Sequence, residues 1–161
     1  MQKTTFAFTG LVMAAAIALS GISSAHEPGL QGKPTPASPH VQSFRQGQSM
    51  SRDARAYAKQ NNWMYSGAQH VYASHAYARA AGQASTMVDI RKAQKAAGYA
   101  QMNAGRAYQR AGDPWAASTS FRNAQKHFTY GGRPTMAAAA GAASEKQVTR
   151  ALMSGRTAQP R

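Results

Sequence analysis

The chain has 161 residues, with 19 Lys and Arg against five Asp and Glu, a formal net charge of +14 and no cysteine. The missing cysteine excludes disulfides, thiolate metal sites, thiol nucleophiles and a lipid-modified bacterial start. The acids, scattered as Glu27, Asp53, Asp89, Asp113 and Glu145, form no carboxylate pair along the sequence, and the excess of cations argues for an anionic partner.

In chain order, residues 1–25 read as a cleavable signal peptide. Lys3 supplies the positive start, Phe6 to Ile22 is apolar and uncharged, and Ser23-Ser24-Ala25 offers the small residues a signal peptidase requires. Cleavage between Ala25 and His26 predicts a periplasmic or secreted bacterial protein with no transmembrane helix after cleavage. Removing Lys3 with the leader leaves a net charge of +13. Residues 26–50, carrying Pro28, Gly29, Gly32, Pro34, Pro36 and Pro39, read as a disordered Pro/Gly-rich linker.

From Ser51, a candidate N-cap, the composition turns to Ala, Gln, Arg, Tyr and Met, with no proline until Pro114. Such material forms helices, and β-branched residues are too sparse for a sheet. Breaks at Asn61-Asn62, Ala81-Gly82-Gln83, Ala97-Gly98, Gly112-Asp113-Pro114 and Tyr130-Gly131-Gly132-Arg133-Pro134 predict helices near 51–60, 63–81, 84–97, 99–111, 114–128 and 135–154. The helical domain is thus 51–155, followed by a frayed tail at 156–161.

Shifting the chain by 31 residues lays Ala73, Ala76, Tyr77, Arg79 and Ala80 on Ala104, Ala107, Tyr108, Arg110 and Ala111. It also lays Ile90, Arg91, Ala93, Gln94, Lys95 and Tyr99 on Phe121, Arg122, Ala124, Gln125, Lys126 and Tyr130. A period of that size predicts stacked helix-turn-helix units. Within 101–128, Gly105, Tyr108, Gly112-Asp113, Ala117, Phe121 and Ala124 stand at tetratricopeptide spacing. This segment resembles such a repeat, with one good unit at about 98–131 and a degenerate one at about 67–97. Gln101 and Ala104 depart from the pattern, as do Ser74 and Thr86 in the earlier copy.

The expected fold is therefore all-α: a short tetratricopeptide-like array or a compact helical bundle. Tyr77, Ile90, Ala93, Gly105, Tyr108, Ala117, Phe121 and Ala124 are the expected packing residues. Segments 51–60 and 135–154 would cap the array, or a homodimer would.

The same alignment stacks His75 and Arg79 with Arg106 and Arg110 as a basic ladder beside Tyr99. In tetratricopeptide proteins the corresponding face lines a groove, so the resemblance implies that the four basic residues hold the carboxylates of an acidic peptide or protein segment, with Tyr99 on the same binding face. The other reading is solvated side chains opposite a buried face. Trp63, His70 and Tyr77 recur every seven residues beside Tyr57, Met64, Tyr65, Ala68 and Tyr72, and read as core or interface. His70 and His75 are poorly spaced for a metal; an N-terminal His26 would offer its amine and imidazole to copper, with Glu27 or His40 nearby, in Pro-rich surroundings ill suited to hold a third ligand in place. No phosphate loop, HExxH or nucleophile elbow occurs. The expectation is a non-enzymatic interaction module without cofactor or metal. The alternatives are a binder of anionic polymers or of a membrane surface, and a structural assembly component without ligand.

Overall fold

The computed structural model describes residues 37–157. The expected leader and its cleavage site, the first part of the linker and residues 158–161 lie outside the described residues. Five helices make up the rest: α1 (Pro39–Lys59), α2 (Trp63–Gln83), α3 (Met87–Ala111), α4 (Pro114–Tyr130) and α5 (Pro134–Thr157). Among the described residues there is no strand, and no helix is long and apolar enough to cross a membrane.

Besides shifts of two or three residues at the end of α2, the start of α3 and the end of α4, which takes in Tyr130, three boundaries differ from the sequence reading. The stretch 39–50, expected as linker, is helical. Pro39 occupies the first turn of α1, where its missing N–H forgoes no helical bond, Phe44 packs on the Tyr77 ring of α2, and Met50 joins the same apolar cluster. Ser51 therefore lies in mid-helix and caps nothing. Segments 84–97 and 99–111 are one helix, because Gly98 stays helical and is covered by the ring of Phe128. α5 extends beyond residue 154 to Thr157, into the segment expected to fray.

The turns are chemically well marked. Thr86 caps α3 by accepting from the Asp89 N–H at 3.1 Å, while its hydroxyl donates to the Asp89 carboxylate at 2.7 Å. α3 ends on Gly112 in the left-handed conformation, φ 80°, and Asp113 caps α4 by accepting from Ala116 N–H at 2.9 Å.

Each helix packs against its neighbours in the chain, and α1 also touches α3. No substantial contact joins α1 or α2 to α5, so the packing runs from each helix to its neighbours in the chain. Ser74 of α2 meets His127 of α4 at 3.5 Å, and Lys92 of α3 lies over the Phe44 ring of α1 at 5.4 Å. α2 and α4 thus lie in one layer, and α1 and α3 in another.

The interfaces are built of alanine. Ala54, Ala73, Ala76, Ala97, Ala104, Ala117, Ala124 and Ala140 are fully or almost fully buried, which lets helix axes approach closely. Aromatic rings fill the remaining space by lying over glycines: Tyr77 on Gly47, Tyr108 on Gly67, Phe128 on Gly98 and Phe121 on Gly105. Tyr77, Ala93, Gly105, Ala117, Phe121 and Ala124 are buried, whereas Ile90 and Tyr108 are half-buried.

The period of this array is not 31 residues. That shift carries Tyr77 of α2 onto Tyr108 of α3, one helix onto its antiparallel neighbour. The structural repeat is the hairpin: Gly47 under Tyr77 recurs as Gly98 under Phe128, offset by 51 residues in both members. The same offset superimposes Arg55-Ala56-Tyr57 on the identical Arg106-Ala107-Tyr108.

Candidate interaction face

Alternation of layers decides where the sequence-predicted residues fall. His75 and Arg79 are exposed on the outer side of α2, while Tyr99, Arg106 and Arg110 are exposed on α3, in the other layer. The two sets are also at different heights. The Arg110 guanidinium lies 4.6 Å from the centre of the Trp63 ring, at the first residue of α2. Arg79 is sixteen residues further along α2, about 24 Å away at 1.5 Å per residue. The structure therefore separates the expected ladder into two patches. The 31-residue alignment ignored the reversal of direction between α2 and α3. Tyr99 is held edge-on against Phe128, ring centres 5.1 Å apart, and keeps about half of its surface exposed.

The outer side of α2 is defined by periodicity. Met64, Tyr65, Ala68, Tyr72, His75 and Arg79 fall within about 100° of arc at 100° per residue. Of these, Met64, Tyr65, Tyr72, His75 and Arg79 are exposed, and Tyr65 stacks on Tyr57 of α1 at 5.8 Å. On the outer side of α4, Trp115, Thr119, Arg122, Lys126 and Tyr130 are exposed in the same way. Trp63, His70 and Tyr77 lie on the inward stripe of α2, half-buried or buried.

A polar strap holds these two helices in register. His127 Nδ1–H donates to Gln94 Oε1 of α3 at 2.8 Å, which leaves Nε2 to accept from the Ser74 hydroxyl at 3.5 Å. Burial lowers the His127 pKa below its ordinary value, assisted by the neighbouring His75 and Lys126 charges. The order Ser–His–Gln has the outline of a nucleophile, base and orienting group. Ser74, however, is 0% exposed, so no substrate carbonyl can reach it, and Gln94 is a neutral amide that would not stabilise an imidazolium as a carboxylate does. The set binds three helices together. Sequence reasoning missed Gln94 and His127, for which the one available signal was the place of His127 between core positions Ala124 and Phe128.

The opposite layer offers a cavity of about 220 Å³ between α1 and α3, lined by Phe44, Arg45, Ala80, Asp89 and Lys92 among others. Lys92 is engaged there with the Phe44 ring, and Asp89 with its helix cap. Among the described residues no three His, Asp or Glu side chains gather as a metal site. No family model, curated protein or solved structure matches this chain.

Proposed function

We propose that this chain is an exported, non-enzymatic helical-array module that binds an anionic partner outside the cytoplasm. The observation that carries the reading is an almost unneutralised cationic surface. Between Arg45 and Arg150 every Lys and Arg is exposed, apart from half-buried Lys95. Over the same span there are four acids, Asp53, Asp89, Asp113 and Glu145, and Asp89 and Asp113 are engaged in capping α3 and α4. Such a surface raises the local concentration of polyanions and speeds their encounter.

A tetratricopeptide-like ancestry is part of the proposal. Gly105 seated under Phe121, with Ala117 and Ala124 buried between α3 and α4, supports it. The 51-residue hairpin offset, against about 34 in that family, makes this array a lengthened relative at most. Binding of the processed chain to heparin and to poly-glutamate, measured between about 50 and about 300 mM salt, tests the reading. A logarithm of affinity that falls steeply and linearly with log salt is expected; no binding to either at low salt would sink the reading.

A further inference from the structure

The helices α2 and α4 share a feature that α1, α3 and α5 lack. Neither Trp63–Gln83 nor Pro114–Tyr130 contains a single Asp or Glu. Their outer stripes are also divided along their length. The first halves are aromatic and bear no Lys or Arg, with Tyr65 60%, Tyr72 54% and Trp115 56% exposed. The second halves are cationic: Arg79 on α2, and Arg122 and Lys126 on α4, with Tyr130 71% exposed at the end.

The strap puts these halves side by side. Ser74 and His127 meet, so residue n of α2 lies near the level of residue n + 53 of α4 where the two helices run in the same direction. Tyr65 then lies within a turn of the level of Trp115, and His75 close to the level of Lys126. The face extends about 21 Å from Tyr65 to Arg79.

We infer that the outer face of α2 and α4 docks a protein segment with apolar anchors at one end and Asp or Glu at the other. The inference rests on the reading of this chain as a binder of anionic partners. Trp, Tyr, Met and Arg are the residue types enriched at protein interfaces, where Asp and Glu are depleted. Large aromatic side chains exposed together on one face mark a binding surface more often than an inert one. A nucleic-acid strand would carry a phosphate at every nucleotide, whereas the aromatic halves of the two stripes bear no Lys or Arg of their own, Arg110 of α3 over Trp63 being a cation at their edge. The division into aromatic and cationic halves matches a partner whose own charge is confined to one end.

The test uses the processed full-length chain and a synthetic peptide in which Phe and Leu precede a run of Glu. Its probes also include the same peptide with Gln for Glu, a single-stranded oligonucleotide and heparin. Affinity for the Glu peptide is expected to fall about tenfold or more with the Gln peptide, with Tyr65→Ser/Trp115→Ser, and with Arg79→Gln/Lys126→Gln. Arg52→Gln on α1 should leave it unchanged, and circular dichroism of these surface variants should match the parent. Peptide binding that ignores both pairs of substitutions overturns the docking surface. If heparin still binds in that case, the broader reading survives alone. An oligonucleotide that binds more tightly than the peptide through the same residues also overturns the inference. Failure of every probe removes both readings.

Discussion

Gly98 of α3 lies directly beneath the ring of Phe128 of α4, so close that a Cβ on Gly98 would stand 2.8 Å from two ring carbons. Phe128 is 0% exposed and has nowhere to retreat. Gly98→Ala would gain about 1 kcal/mol of helix propensity, yet forcing the ring out of place costs roughly 1–3 kcal/mol, so a net loss of stability is expected. Gly82→Ala is the counterpart: its Cβ meets nothing within 4 Å, and a gain of about 0.5–1 kcal/mol is expected. Urea unfolding of the two variants should give midpoints on opposite sides of the parent. A Gly98→Ala variant as stable as Gly82→Ala would show that the ring does not constrain this site.

His70 should make the fold acid-sensitive. It is buried, its Nδ1 has no hydrogen-bond partner, and burial, aided by the Arg55 cation, holds its pKa down to about 4 from 6.5. Between those values the unfolded chain binds the proton and the folded chain does not. Stability is therefore full above pH 6.5 and declines as pH falls toward 4, by at most roughly 3 kcal/mol. The lowered pKa of His127 acts in the same direction. His70→Leu removes an unpaired polar group, so little change is expected near pH 7 and a flatter decline in unfolding midpoint below pH 6.5. An unaltered decline would place the acid sensitivity elsewhere.

The fold class was legible because helix propensity and the absence of β-branched runs act locally. The turn at Gly112-Asp113-Pro114 was legible for the same reason, since cap chemistry is written in adjacent residues. What could not be read were features that depend on a partner across an interface. Gly98 carries the composition of a breaker, and only the Phe128 ring, thirty residues later, gives it a packing role. Pro39 carries the composition of a linker, and only the contact of Phe44 with Tyr77, with Met50 in the same apolar cluster, draws that stretch into α1. The true period was present as two Arg-Ala-Tyr strings, but the 31-residue shift offered more matches, because alanine-rich helices resemble their neighbours regardless of direction. For that reason the residues aligned as one ladder divide between α2 and α3, all of them exposed.

The strap from Ser74 through His127 to Gln94 predicts a coupled stability effect. His127→Ala deletes both hydrogen bonds and leaves the fully buried Ser74 hydroxyl without this partner, at a cost of about 1–3 kcal/mol. Ser74→Ala alone gives up a long bond of 3.5 Å and should cost under about 1 kcal/mol. The double variant should then be no worse than His127→Ala alone, a non-additivity that thermal unfolding can resolve. Full additivity would mean that the two side chains do not interact in solution.

An open array and a closed bundle respond differently to damage at one end. Ala140 of α5 is 0% exposed in the α4–α5 interface, where the Ser144 hydroxyl also donates to the Ser118 carbonyl at 3.0 Å. Ala140→Asp would bury a carboxylate there, which the helix can avoid only by releasing its contact with α4. In a linear array stability is a sum over nearest-neighbour interfaces, so the loss should stay near that end. Hydrogen exchange of Ala140→Asp should show protection lost across 134–157 and weakened in α4, while α1 and α2 remain protected, because neither has a substantial contact with α5. Simultaneous loss of protection in α1 would mean that the five helices unfold as one cooperative bundle.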